Sequence, residues 1–166
     1  GGMDAARWGE IVHLALQRYM ERREEGPEQV AQEVAVRIRL EREAEQALAT
    51  LLERTAKSRL WRRALGARRV YCEVPFHYAE ELGGEEIVVH GAMDLVFEEE
   101  GGWVIVDYKT DEPPTGKALG RRGDGERLRD YTEQLEAYSR AWERITGFRV
   151  VEKWLLFVSD GTEVKV

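Results

Sequence analysis

The stretch GAMDLVFEEEGGWVIVDYKTD, residues 91–111, decides the fold of this chain. Two apolar runs are separated by Glu98–Glu100 and then by Gly101-Gly102, and glycine tolerates the positive φ angles that a tight hairpin turn requires. The second run, Trp103 to Val106, is apolar and rich in β-branched residues, as is typical of a buried strand. The stretch therefore predicts two antiparallel strands joined by a turn at residues 98–102.

Charged residues stand at the end of this buried strand. Asp107 and Lys109 project from the same face while Tyr108 points away, because side chains alternate across a strand. The turn brings Asp94 on the facing strand beside them. Buried charges are costly unless they are compensated. Either these groups form an ion pair, or the two acids and the lysine form a net negative pocket that suits a hard divalent cation.

Length and cysteine content limit the class of protein. A chain of 166 residues can bury a core without disulfides, so we expect residues 3–166 to form one domain. Gly1-Gly2 before Met3 resemble residues left by cloning. The single cysteine, Cys72, fits a reducing compartment and excludes a four-cysteine iron–sulfur cluster.

Charge and hydropathy exclude further classes. The net charge of −7 argues against a simple electrostatic nucleic-acid binder. It is compatible with clustered carboxylates that an ion neutralises. No apolar run reaches membrane-spanning length and no signal peptide is recognisable, so we expect a cytoplasmic protein without a membrane partner.

The remaining periodicities predict an α/β domain. Its expected parts are an N-terminal helical region and a central mixed sheet, made of a three-strand meander plus one or two further strands, flanked by helices. The expected elements are a helix at residues 4–24, one long helix from Glu28 to Lys57, a short helix around Trp61, strands at 69–78, 85–98 and 103–109, a helix with its apolar stripe from Leu128 to Ile145, and strands at 150–158 and 163–166.

Four motifs carry a resemblance to a known family. Asp94, followed by Asp107-Tyr108-Lys109-Thr110, resembles the catalytic core of the PD-(D/E)XK nuclease superfamily, which implies a restriction-endonuclease-like core. More narrowly, GAMDLV and VIVDYKTD are similar to the RecB-type nuclease domain at the C-terminus of AddA and RecB helicase–nucleases. GEIVH supplies Gly9 and His13, similar to the family's G-x-x-x-H, and QLEAY supplies Gln134 and Tyr138, similar to its Q-x-x-x-Y. The order of the motifs is also the family's, over nearly the whole chain.

The resemblance implies a metal centre. His13, Asp94, Asp107 and the backbone carbonyl of Tyr108 would bind one or two Mg²⁺ or Mn²⁺ ions, and histidine favours manganese because it is a softer ligand than magnesium prefers. Asp94, Asp107 and Lys109 would be the catalytic residues. Lys109 would orient or deprotonate the attacking water, or stabilise the pentavalent state.

Other residues are expected around that centre. Gly9 and Glu73 would support it, although an exposed strand glutamate is nearly as good an interpretation of Glu73. His77 and His90 are predicted to be strand residues without chemistry. Contacts with DNA are expected from Gln134, Tyr138, Thr110, Lys117, Arg121 and Arg122. A core position for Tyr138 and a solvated loop for the three basic residues are the alternatives.

The function implied by the resemblance is hydrolysis of DNA phosphodiesters. The substrate would be single strands delivered by a helicase in the same chain or complex during double-strand-break processing, in the bacterial cytoplasm or nucleoid. The domain would then be excised from a longer helicase–nuclease, and a partner subunit is a further expectation. The alternative is a catalytically inactive nuclease-fold scaffold, a DNA-binding or assembly module.

Overall fold

The computed structural model describes residues 3–114 and 123–166. The elements follow the predicted order: α1 (Ala5–Glu21), α2 (Pro27–Ile38), α3 (Arg42–Ala56), α4 (Arg59–Leu65), β1 (Arg69–Leu82), β2 (Glu85–Glu99), β3 (Gly102–Lys109), α5 (Asp124–Thr146), β4 (Val150–Phe157) and β5 (Thr162–Lys165). In the described part of the chain, no helix is long and apolar enough to cross a membrane.

The chain divides into two compact units. The first comprises Gly1–Gly66, Tyr108–Pro113 and Leu156–Glu163. The second comprises Ala67–Asp107, Pro114–Leu155 and Val164–Val166.

The helical part of the first unit corrects one prediction. The single long helix expected from Glu28 to Lys57 is wrong, because two helices, α2 and α3, occupy this range. Arg39 ends α2 in the left-handed conformation, with φ of 56°. Its backbone N–H donates to the carbonyl of Ala35. The sequence has no glycine or proline at this break, so the usual signals that end a helix are missing.

Helices α1, α2 and α3 pack against one another around a common apolar core. Ionic contacts add to this packing, because the carboxylate of Glu33 on α2 accepts hydrogen bonds from Arg18 at 2.6 Å and from Arg22 at 2.7 Å. Part of the charged surface of these helices therefore joins α2 to the end of α1. The core side chains with no exposed surface include Val12, Leu16, Val34, Leu48, Leu52 and Leu60.

The five strands form one sheet in the order β1-β2-β3-β4-β5. Both hairpin pairs, β1–β2 and β2–β3, are antiparallel. Strands β3 and β4 run in the same direction, because hydrogen bonds join Trp103 near the start of β3 to Arg149 and Lys109 at its end to Val158. The predicted mixed sheet, with a meander and two further strands, is confirmed.

An aromatic cluster anchors the start of β3 in the second unit. The Trp103 ring centroid lies 4.7 Å from that of Trp142 on α5 and 5.9 Å from that of Tyr71 on β1. The guanidinium of Arg69 lies 5.1 Å from the Trp103 ring centroid. Helix α5 also packs on β1, so this cluster belongs to the contact between helix and sheet.

Glycine is required where β3 begins beside β4. A Cβ atom on Gly102 would lie 2.7 Å from Cγ1 of Val151 and 2.9 Å from the carbonyl oxygen of Arg149. The φ of Gly102 is also 150°. The second glycine of the Gly101-Gly102 turn therefore allows the two strands to approach.

Candidate active site

Two carboxylates are buried side by side on neighbouring strands of the second unit. The last pair joining β2 to β3 is Leu95 with Val106, and Asp94 and Asp107 lie one residue beyond it on each strand. Asp94 is 6% exposed and Asp107 is 4% exposed. Ionised carboxylates at this depth repel each other and lose hydration, so the pair favours a bound cation or a shared proton.

A third carboxylate adjoins this pair. Glu73 lies on β1 between two residues that pair with β2, Cys72 with Leu95 and Val74 with Met93. An oxygen of Glu73 and an oxygen of Asp94 lie within 4.8 Å of each other. The structure therefore places Glu73 beside the predicted acids rather than on an exposed part of the strand.

The backbone of Glu73 is unusual for a strand. Its φ is 48°, in the left-handed region that side chains with a Cβ atom rarely adopt. Such a conformation costs on the order of 1–3 kcal/mol and persists only where the surroundings enforce it. This strain coincides with the position of the carboxylate beside Asp94.

Tyr138 and Gln134 lie one helical turn apart on α5, in the same unit as the three acids. Gln134 Nε2 donates to the Tyr138 hydroxyl oxygen at 2.9 Å. Burial raises the pKa of Tyr138, and the carboxylates of Asp107 and Asp94 raise it further. The hydroxyl therefore stays protonated at neutral pH. Because its oxygen accepts from Gln134, its own proton is available for donation to another acceptor.

Two residues that the sequence did not single out hold Tyr138 in place. The Phe76 ring packs edge-on against Tyr138, with the centroids 5.5 Å apart. A Cβ on Gly91 would lie 2.9 Å from Phe76 Cζ and 3.4 Å from Tyr138 Cε1. A glycine inside a strand and away from any turn was the available signal, because it often marks close packing by a neighbouring group.

The first unit contains the remaining predicted residues. His13 Nε2 lies 3.2 Å from the carbonyl oxygen of Tyr108 and donates to it when it carries the proton. With the proton on Nδ1, both atoms are potential ligands. Adjacent ligands at about 2.1 Å from an octahedral ion lie about 3 Å apart, so this pair fits a common cation.

Gly9 and Thr110 explain the spacing of the G-x-x-x-H motif. Gly9 precedes His13 by one helical turn, so both residues lie on the same side of α1. A Cβ on Gly9 would lie 3.4 Å from Oγ1 of Thr110. The absence of a side chain at Gly9 therefore lets α1 approach the segment after β3, while His13 meets Tyr108 in that segment.

Lys109 is the last residue of β3 and is half-buried. Its carbonyl accepts a hydrogen bond from the backbone N–H of Val158 at 3.0 Å. Tyr108, which precedes it, is 3% exposed. The alternation predicted along this strand is therefore present at its end.

The structure groups ten of the predicted site residues within the two units. Lys117, Arg121 and Arg122 lie outside the described residues. The second unit contains Glu73, Asp94, Asp107, Gln134 and Tyr138, and the first contains Gly9, His13, Tyr108, Lys109 and Thr110.

The donor set fits a hard divalent cation, since buried carboxylates, a backbone carbonyl and one imidazole are the ligands such ions take in proteins. The sequence profile of the PD-(D/E)XK nuclease superfamily matches residues 1–165. This chain belongs to that superfamily. Divalent metals serve its nucleases, and the PD-(D/E)XK resemblance and the restriction-endonuclease-like fold are confirmed.

Relatives of this PD-(D/E)XK chain are named as subunits of an ATP-dependent helicase/nuclease. The protein from Carboxydothermus hydrogenoformans is 42% identical over 126 residues, which are 70% of this chain and 10% of that protein. The protein from Thermoanaerobacter sp. (strain X514) is 35% identical over 176 residues, 96% of this chain and 14% of that protein. The protein from Pelotomaculum thermopropionicum is 33% identical over 184 residues, 99% of this chain and 14% of that protein. The chain therefore spans 10–14% of the length of these relatives.

Proposed function

We propose that this chain is a divalent-metal-dependent deoxyribonuclease that hydrolyses phosphodiesters of single-stranded DNA. The observation that carries the proposal is the burial of Asp94 and Asp107, at 6% and 4% exposure, on neighbouring strands with Glu73 beside them. Three acids in one place oppose folding unless they serve to bind a cation.

The ligands we assign are His13, Asp94, Asp107 and the carbonyl of Tyr108, with Glu73 in support. His13 is held against Tyr108, the residue that follows Asp107 in the chain, which supports their joint action. One or two Mg²⁺ or Mn²⁺ ions suit these donors. When bound, such an ion offsets the charge of the phosphate and lowers the pKa of a water molecule.

Lys109 is the residue we assign to the attacking water. Strand alternation puts it on the same face of β3 as Asp107. Its ammonium group would hold the water in line with the phosphorus and stabilise the negative charge that develops. General acid–base and positioning roles of this kind contribute roughly 10²–10⁴-fold to rates.

Tyr138 would donate its hydroxyl proton to an oxygen of the DNA backbone, with Gln134 fixing the direction of the hydroxyl. The raised pKa of Tyr138 supports this role, because an ionised phenol would repel a phosphate. Thr110, which follows the Asp-x-Lys sequence, is assigned to the same DNA backbone, as are Lys117, Arg121 and Arg122.

The relatives support a helicase as the source of the single strand. Their name joins helicase and nuclease in one protein, and this chain matches 10–14% of their length. We therefore propose that residues 3–166 are a nuclease domain of a longer helicase–nuclease that acts in break repair and recombination. The proposed setting is the bacterial cytoplasm or nucleoid, with a partner subunit in the complex.

A matched pair of variants tests the site. Manganese binding is measured by isothermal titration calorimetry, and cleavage is followed on an end-labelled single-stranded oligonucleotide. The parent should bind manganese and cut the strand, and a chelator should abolish cutting. Asp107→Ala should lose both activities. Lys109→Ala should keep its manganese affinity while cutting falls by roughly 10²–10⁴-fold.

Two outcomes would count against the proposal. Equal loss of manganese affinity in Lys109→Ala and Asp107→Ala would favour a simple ion pair. Single-stranded and blunt double-stranded substrates are also compared across a salt series. Weak, salt-sensitive cutting of the single strand is expected, because net charge −7 limits the neutralisation of phosphates. Rapid cutting of intact duplex that ignores salt would contradict a helicase-fed enzyme.

A further inference from the structure

His77 and His90 lie directly opposite each other on β1 and β2. Both side chains are exposed. Neither belongs to the candidate active site, and the sequence predicted strand positions without chemistry for both. The pairing places two imidazoles next to each other on one hairpin.

The hairpin turn determines this pairing. Gly83 and Gly84 have φ angles of 63° and 83°, as a two-residue type I′ turn requires. Leu82 and Glu85 form the first pair beyond the turn, and the register continues without a shift to His77 and His90. The two glycines therefore specify which residues face each other.

Both histidines lie on the same face of the hairpin. Directly paired residues project to the same side of an antiparallel ribbon, and their neighbours project to the opposite side. The neighbouring pair is Phe76 with Gly91, and Phe76 is 7% exposed. The imidazoles therefore lie on the side opposite the packed Phe76 ring and are reached directly from solvent.

The spacing suits chelation of one ion. The Cβ atoms of directly opposed residues lie about 4.5–5.5 Å apart, so both rings can turn their nitrogens toward a common point. Imidazole ligands suit zinc, copper and nickel, whereas magnesium and manganese prefer oxygen. A site of two imidazoles therefore selects a different class of ion from that of the buried carboxylates.

The surrounding ribbon would gain from such a link. The pairs that join β2 to β3 run from Leu95 to Glu99, so residues 76–91 belong to the section of the hairpin beyond them. A two-stranded ribbon is only marginally stable by itself in water. An ion bound across its strands would resist their separation.

We propose that His77 and His90 bind one borderline transition-metal ion of the zinc class and clamp the β1–β2 hairpin. Water completes the coordination, since two imidazoles leave positions open on a tetrahedral ion. The inference does not rest on the proposed nuclease function, because it concerns other residues and another class of metal.

Zinc titration of the whole chain without DNA tests the site. Binding is followed by calorimetry and by the NMR signals of the histidine rings, which distinguish His77 and His90 from His13. The signals of both ribbon histidines should move together at one equivalent of zinc. Either His77→Gln or His90→Gln should weaken this binding by roughly 100-fold or more, because the second imidazole binds intramolecularly to an ion already held by the first.

A composition-matched control separates pairing from histidine content. The double variant Val89→His, His90→Val keeps three histidines but moves one imidazole to the other face of the hairpin. It should lose binding as His90→Gln does, and circular dichroism should show an intact fold. Parent-like zinc affinity in this double variant, or ring signals that move only at His13, would overturn the proposal.

Discussion

Strand β3 begins among aromatic rings and ends among carboxylates. Trp103 at its start is 2% exposed and packs against Trp142 and Tyr71. Asp107 near its end is 4% exposed and lies next to Asp94 on β2. The two positions are almost equally buried, but burial stabilises the indole and destabilises the carboxylate. Depth of burial therefore does not separate core from site in this protein, whereas the polarity of the buried group does.

The largest expected effect is at the aromatic end. Trp103→Ala should lower the free energy of unfolding by about 3–5 kcal/mol, because it removes a large buried ring and leaves a cavity. Urea denaturation monitored by circular dichroism measures the loss. The comparison between the two ends fails if this variant is as stable as the parent.

At the carboxylate end the sign should reverse. Asp107→Asn should leave stability in chelator unchanged or raised, because it removes repulsion with Asp94. The parent should gain about 2.7 kcal/mol from manganese at a hundred times its dissociation constant, and the variant should lose this gain. Thermal melting with and without manganese checks both points. Trp103→Ala is the control, since it should retain a manganese-dependent gain while starting from lower stability.

Gly91 tests how tightly the acidic end is packed. Gly91→Ala would place a Cβ atom 2.9 Å from Phe76 Cζ, and overpacking of this kind costs about 1–3 kcal/mol. Urea denaturation should show the loss, and single-strand cutting should fall as Tyr138 is displaced. Combining Gly91→Ala with Phe76→Leu should recover part of the stability. No recovery would mean that the Phe76 contact does not set the cost.

The smallest effect concerns alkaline pH. Burial, with the carboxylates of Asp107 and Asp94, raises the pKa of Tyr138 in the folded protein. Above the unfolded pKa of about 10, the folded state therefore holds a proton that the unfolded state has lost. Stability should fall as pH rises through this range. Urea denaturation at a series of pH values should show a shallower decline for Tyr138→Phe, and identical slopes would argue against a raised pKa.

Turns account for most of what the sequence predicted. The glycine pairs at Gly83-Gly84 and Gly101-Gly102 marked both hairpins, and a hairpin turn fixes the register of the strands on either side. The neighbouring positions of Asp94 and Asp107 followed from the second turn and are present in the structure. The break at Arg39 was not predictable, because an arginine in the left-handed region carries no sequence signal.

The site was predictable in its motifs but less so in its support. The left-handed backbone of Glu73 depends on its surroundings and not on its residue type. The contact of Phe76 and Gly91 with Tyr138 depends on how α5 packs over the hairpin, which is a long-range property. The expectations for Lys117, Arg121 and Arg122 lie outside the described residues and stay predictions, as do the catalytic roles of the other residues.

The parallel pairing of β3 with β4 bears on the order of folding. β2 and β3 are joined by a short turn, so their pairing closes a small loop at low entropic cost. β4 can join β3 only after residues 110–149 have been spanned, and non-local pairs of this kind form slowly. Gly102 lies at this late junction, against Val151 and Arg149. We therefore expect the meander to form early in refolding and the attachment of β4 to limit the rate.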